Sequence, residues 1–319
     1  MALAYRTQLD GNLYGLVAHE QIQPGTVIMR EKPLMSIDLP ILYSEWSTSR
    51  ALQFYNDEHD DKSHSNFIAR AFKNLAKPQR DAFRLIPTHA LRWRKDCLDI
   101  SRVEIHGYFF PYQTPSGEPM TRLVVFFNIN VINHSCRPNA IFDWQENCGV
   151  VRAITTIAVG EEVFLDRLPD DLTWATADLR KEYLGEIYDY ECRCCDCKPG
   201  TYQEGDTIRR RLKFLQEQLT QFCNDSSSIR PLRSIQFISH NLAMANEYVN
   251  LLVQVGGRNM RLVEAHLFLA NISELLEDRH GAQDHAVKAM VIAARAYGAP
   301  KDGSLRPAVE VLQRCYAYD

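Results

Sequence analysis

The sequence predicts an α+β fold: short, mostly antiparallel strands, a helical insertion between them, and an all-helical C-terminal part. Three observations carry that expectation. Apolar residues alternate over short runs punctuated by Gly, Pro and Asn near the N-terminus and again between about 103 and 166. Between about 41 and 102 they recur instead at helical spacing, and beyond Gly200 only helical spacing is found.

In order, residues 11–15 read as a turn, 16–18 as a strand, and Gln23-Pro24-Gly25-Thr26 as a second turn into a strand at 27–29. Residues 35–39 alternate as another strand. Trp46, Ala51, Leu52 and Phe54, then Phe67, Ile68, Ala71, Phe72 and Leu75, define the inserted helices, and the polar stretch 57–65 reads as an exposed loop. Strand character returns at 103–112 and 122–127 across Thr114-Pro115-Ser116-Gly117, and the apolar run 123–127 reads as a buried strand. Residues 140–144 and 149–153 form a hairpin, 163–166 a strand, and 176–187 a helix. Ile208, Leu212, Leu215, Leu219 and Phe222 stripe the next helix. Four more are expected at 234–255, 260–278, 282–297 and 305–317, with Gly256-Gly257, Gly281 and Gly298-Ala299-Pro300 between them. No internal repeat recurs with signature positions, so these helices are expected to pack as a domain on the strands.

With 319 residues the chain can bury one large core or two modest ones. A net charge of −4 gives no reason to expect a phosphate-backbone partner, so no nucleic acid is expected. No apolar run is long enough for a membrane helix, and the N-terminus lacks the apolar core of a secretory signal. Nine cysteines, four of them between 192 and 197, suit metal chemistry in a reducing compartment better than a disulfide frame. The expected location is intracellular, in the cytoplasm or nucleus.

Cys192, Cys194 and Cys197 are three ligands short of a closed tetrahedral site by one, and Cys136 could be the fourth. The alternative for Cys136 alone is a small buried apolar residue. Cys195 breaks the spacing and reads as a bystander.

Gly15-Leu16-Val17-Ala18, Pro24-Gly25 before a strand, a helical insert, Asn133-His134-Ser135-Cys136, Gly160-Glu161-Glu162 and Cys-x-Cys-x-x-Cys follow one another in that order. The series resembles SET-domain methyltransferases, most closely the SET-and-MYND-type branch, strongly over about 5–200 and loosely beyond. A MYND finger is missing, since the insert holds only Cys97. The resemblance implies a SET-type fold divided as 1–40 and 103–190 for the two SET parts, 41–102 for the insertion, 191–200 for a zinc-bound post-SET segment and 201–319 for the helical domain. It implies a protein-lysine methyltransferase that uses S-adenosylmethionine and one structural zinc ion. Around the cofactor it places Tyr14, Gly15, Asn133 and His134, with Asn130, Ile132 and Tyr190 lining the same pocket. An Asn amide, both donor and acceptor, suits a zwitterion or a ribose. A zinc ion on Cys136, Cys192, Cys194 and Cys197 would tie the tail over that pocket.

Two departures stand against this pattern. Leu13-Tyr14-Gly15 lacks the first of two family glycines, which puts a side chain where backbone approaches the cofactor. The tyrosine expected five residues past Glu162 is Arg167, a cation at every ordinary pH. At 4 Å from a substrate ammonium it would cost about 4 kcal/mol with an effective dielectric near 20. Three readings stay open. Arg167 points outward and Tyr188 serves the catalytic role; the site binds cofactor and a protein or peptide but turns over poorly; or Arg167 engages a small anionic molecule in a redirected, biosynthetic reaction. His59, His64, His280 and His285 read as solvated, as do Arg92-Trp93-Arg94-Lys95 and Arg209-Arg210-Arg211. No Ser-His-Asp set or phosphate-cradling loop is present in the pattern.

Overall fold

The computed structural model describes residues 4–8, 14–40, 61–86, 98–169, 172–226, 234–256, 260–298 and 306–316. Its strands, in chain order, are β1 (Ala4–Gln8), β2 (Tyr14–Ala18), β3 (Val27–Glu31), β4 (Met35–Pro40), β5 (Gly107–Gln113), β6 (Pro119–Val125), β7 (Asn133–His134), β8 (Ala140–Gln145), β9 (Cys148–Ala153) and β10 (Glu162–Leu165). They form three small sheets, ordered β1-β2-β10-β7, β3-β9-β8 and β4-β6-β5. Every pairing is antiparallel except β7 with β10, which run parallel.

The apolar run at 123–127 is continuous because β6 is covered on both faces. Val124 and Phe126 join the main core with Leu16, Ile22, Ile129, Val151, Ile157 and Val163. Leu123 and Val125 face the other way, onto Ile68, Phe83, Ile86 and Val103 of the helical insertion. Within that insertion α1 spans Asp61–Asn74, α2 Lys77–Arg84 and α3 Leu98–His106. Two expectations change here. Residues 61–65 open α1 rather than a loop, and 103–106 end α3 rather than begin a strand, because Val103 and Ile105 are buried from a helical surface. The strand starts only at Gly107, where an added Cβ would lie 2.5 Å from both Val103 O and the Leu123 side chain. Trp46, Ala51, Leu52, Phe54, His59, 92–95 and Cys97 lie outside the described residues.

The described elements from Ala177 on are all helices: α4 (Ala177–Tyr188), then, after the cysteine-bearing segment 189–201, α5 (Tyr202–Ser226), α6 (Ile235–Gln254), α7 (Met260–Leu275), α8 (Arg279–Tyr297) and α9 (Arg306–Tyr316). The stripe Leu212, Leu215, Leu219 and Phe222 packs on Tyr248, Leu252, Leu269 and Ile272, as its spacing requires. Ala282, Ala286, Ala289, Ala293 and Ala296 are all buried along α8, which lets neighbouring helices approach closely. Ser234 and Asp278 accept the Phe237 and Gly281 amides and start α6 and α8. Trp174 Nε1, just before α4, donates to Gln216 Oε1 of α5 at 2.7 Å, and Gln145 Nε2 at the end of β8 donates to Tyr297 O, joining the bundle to the strands. Among the described residues no helix is long and apolar enough to cross a membrane.

Candidate functional site

The site is built around the segment 127–139. After β6 the chain makes a 3₁₀ turn, Ile129–Val131, with Ile129, Asn130 and Val131 all buried. A short turn leaves amides unpaired at one end and carbonyls at the other. Glu31, at the end of β3, takes the amides of Phe127, Asn128 and Ile129 at 2.9–3.1 Å. Arg167 takes the carbonyls: its Nε and Nη2 donate to Ile132 O at 3.1 and 2.7 Å, and Nη2 also reaches Ile129 O at 3.0 Å. Its Nη1 donates to Tyr108 Oη at 3.3 Å. Four of the five guanidinium N–H groups are therefore committed. Arg167 points inward, and the outward reading is overturned.

Asn133 and His134 then form β7, opposite Phe164 and Leu165 of β10, whose other edge pairs with Leu16 and Val17 of β2. Gly15 lies buried at the start of β2. Asn139 extends the arrangement by acting as a strand through its side chain: Nδ2 donates to Glu162 O at 2.8 Å and Oδ1 accepts from Phe164 N at 2.7 Å. Asn133 Nδ2 donates to Glu162 Oε1 at 2.6 Å, while burial pushes that carboxyl upward. Tyr190 Oη donates to His134 O at 2.9 Å. Asn130 is turned onto backbone, donating to Phe126 O at 2.6 Å, and its Oδ1 is buried without a hydrogen-bond partner.

The His134 ring is buried and held neutral, pushed down to about 3 chiefly by burial. Its Nδ1 accepts the Arg167 backbone N–H at 3.0 Å, which leaves the proton on Nε2, 3.3 Å from Cys136 Sγ. Tyr188 closes α4 beside Tyr183, rings edge to face at 6.2 Å. Burial raises its phenol, with the Arg167 cation opposing that shift and Tyr108 adding to it, so the three groups are electrostatic neighbours. α4 stops there because Asp189 adopts a left-handed conformation (φ 50°) and Tyr190 N returns to Leu184 O at 3.2 Å. That turn aims Tyr190 at His134 and sends Cys192 toward Cys136.

Cys136, Cys192, Cys194 and Cys197 converge, with all four sulfurs within 4.8 Å of one another. Cys136 Sγ lies 3.6 Å from Cys197 Sγ and 4.0 Å from Cys192 Sγ. Tetrahedral zinc with bonds of about 2.3 Å needs sulfurs roughly 3.8 Å apart. Contact with Cys192 and Cys194 raises the Cys136 thiol, and contact with Cys136 lowers that of Cys194. The donor set thus fits a closed zinc site, and Cys195 stays outside it, exposed.

Two solvated readings are overturned. Arg209 is buried against Asp196, since one residue of three in a helical run must face inward. His285 stacks on buried His266, with ring centroids 5.4 Å apart and Nδ1 atoms 3.2 Å apart. The side chains of Tyr14 and His64 lie outside the described set. Sequence reasoning passed over Tyr108, Glu31 and Asn139. Only Tyr108, in the strand expected over 103–112, lay in a segment whose pattern could have drawn attention to it.

Residues 13–166 match the family described as SET domain. A stretch of 121 residues is 32% identical to N-lysine methyltransferase SMYD2-B of Danio rerio, covering 37% of this chain and 25% of that protein. A stretch of 93 residues is 37% identical to N-lysine methyltransferase SMYD2 of Homo sapiens, covering 29% and 20%. The match spans a quarter or less of the length of these relatives. The solved SET domain of LSMT bound to lysine and AdoHcy overlaps 98% of this chain and 83% of that one, at 11% identity and a TM-score of 0.30.

Proposed function

Because residues 13–166 form a SET domain related to the SMYD branch, we propose that this chain binds S-adenosylmethionine and transfers a methyl group to the side-chain nitrogen of a protein lysine. The observation that supports this most is the meeting of β7, the end of β10 and the four-thiol tail. One strand of two residues is thereby held from three sides. We read 1–40 and 103–190 as the two SET parts, 41–102 as the insertion, 191–200 as the post-SET segment and 201–319 as the helical domain.

S-adenosylmethionine is a cation with an ammonium, a ribose and an adenine, and the residues present suit it. Asn133 offers an amide, and Glu162 a half-buried carboxyl, raised by burial, whose charged form a neighbouring ammonium would favour. His134 O keeps one lone pair beyond the bond from Tyr190. When bound, the cofactor supplies an electrophilic methyl on sulfur. Cys136, Cys192, Cys194 and Cys197 would hold zinc, which fixes the tail against β7 and takes no part in the reaction.

The chain's own task is to present a neutral amine in line with that methyl. Arg167 assists by position: held on Ile129 O and Ile132 O, its fixed charge disfavours a second cation beside it and so favours the neutral amine. Tyr188, kept as a neutral phenol by burial, orients the amine through its oxygen, and Tyr108 is aligned by Arg167 as a second phenol on the same cluster. With its donors spent on carbonyls, Arg167 has little left to grip an anionic substrate, which weighs against the redirected reaction.

Calorimetry with S-adenosylmethionine, followed by transfer of a labelled methyl group to lysine-containing peptides, tests the proposal. Binding that disappears in Asn133→Ala, and a product on lysine nitrogen, are expected. Absence of heat from zinc-loaded protein would refute it.

A further inference from the structure

We propose that Arg180 is the built-in counter-ion of the thiolate quartet, and that metal occupancy and the seating of α5 are a single coupled event. The inference rests on the quartet binding a divalent ion and is independent of methyl transfer.

Arg180 is fully enclosed, with no exposed side-chain surface. Its Nη2 donates to Asp196 O at 2.9 Å and to Cys197 Sγ at 3.6 Å. Its Nη1 lies 3.5 Å from Asp206 Oδ1, an oxygen that already accepts Ala177 N at 2.8 Å. Nε is buried with no hydrogen-bond partner. A cation so placed has one shared carboxylate where a dry interior demands close compensation. Four thiolates around a divalent ion carry a net charge of −2, and among the described residues Arg180 is the cation that donates to one of them. Loaded, the site supplies a second anion beside a guanidinium that otherwise shares Asp206 with the Ala177 amide and meets the Ala175 and Asp196 carbonyls.

The other arginines are engaged elsewhere. Asp196, between two of the ligands, accepts from Arg137 Nε at 2.7 Å through one oxygen and from Arg209 Nη2 through the other. Arg209 and Asp206 both belong to α5, and Arg209 also donates to Thr173 O at 3.1 Å. The loop that carries the ligands is thus tied to α5 by the Asp196–Arg209 pair and by Arg180 reaching Asp206. A helix anchored on charges this deep needs the loop ordered, and the metal orders it.

The test uses the full chain loaded with zinc, then with cobalt(II). Arg180→Met is expected to weaken zinc binding, read by competition with a chromophoric chelator, by roughly 10–100-fold, the usual cost of losing a partner that supports metal ligands. It should also move the sulfur-to-cobalt charge-transfer band to longer wavelength, since an N–H···S bond is lost, and Arg180→Lys should restore part of both. Leu184→Ala, a core truncation on the same helix, should lower melting temperature without moving the band. An Arg180→Met protein with the parent's affinity and spectrum overturns the proposal. Hydrogen exchange on the parent decides it without any variant: chelation should release the α5 amides ahead of those of α8, and unchanged α5 protection overturns the coupling. A parent that takes up neither zinc nor cobalt refutes the metal reading itself.

Discussion

Glu31 and Arg167 grip opposite ends of one turn: the carboxylate takes the amides of Phe127, Asn128 and Ile129, and the guanidinium takes the carbonyls of Ile129 and Ile132. The charges match the turn's own dipole, negative at its amide end and positive at its carbonyl end. Asn133 and His134 follow directly, so this clamp fixes where β7 begins. Glu31→Ala strands three amides in a half-buried setting. We expect a loss of about 2 kcal/mol in chemical denaturation, the scale for unmet backbone donors. Glu31→Gln, which can still accept, should fall between. A denaturation midpoint equal to the parent's would show that water serves the turn equally well.

Arg167→Tyr restores the residue that the SET pattern usually has at this position, yet the clamp predicts a worse protein. A phenol offers one donor where the guanidinium spends four: Ile132 O loses its bonds from Nε and Nη2, and Ile129 O keeps only the Ile132 amide. Charge-assisted hydrogen bonds contribute about 1.5–3 kcal/mol each, so cofactor affinity should fall roughly tenfold or more. Calorimetry with S-adenosylhomocysteine measures this. A gain in affinity and in methyl transfer would instead mean that Arg167 only handicaps the site.

Tyr188→Phe separates orientation from binding. Its raised phenol stays protonated through neutral pH, so it acts by hydrogen bonding and not as a base. Loss of the oxygen should lower kcat by about 10²-fold, toward the lower end for a positioned acid–base or orienting group, with cofactor affinity unchanged. Steady-state rates paired with calorimetry distinguish this from a packing defect, which would move both.

How much of this was legible depends on what each residue bonds to. The quartet could be read from spacing because three thiols at Cys192, Cys194 and Cys197 are too close together to suit a disulfide frame and sit at metal-ligand spacing, and the fourth followed from arithmetic. The role of Arg167 could not, because its partners are carbonyls, which every residue has and no sequence marks. Arg209 hid among three consecutive arginines, where helical period says one faces in but not which. The strand expected at 103–106 failed because β-branched Val103 and Ile105 serve equally well on a buried helical face. His285 reads as solvated until its partner His266, on the preceding helix, is brought beside it by the α7–α8 hairpin.

That histidine pair gives the helical half a defined acid sensitivity. Burial pushes His266 down to about 4, with His285 and then Lys288 adding to the shift and Asp284 opposing it. His285 is itself lowered by burial, then by Lys288, with Asp284 and Asp278 opposing. An unfolded histidine takes its proton near pH 6.5, which the folded His266 refuses until about 4. The unfolded state therefore binds more protons across that window, so stability is complete above about 6.5 and is lost as pH falls toward 4. The full difference corresponds to at most about 3 kcal/mol. His266→Phe keeps the ring stacked on His285 and removes the titration. Denaturation at pH 7 and pH 5 should show the variant losing less stability than the parent over that interval; equal losses would mean that the pair protonates without cost to the fold.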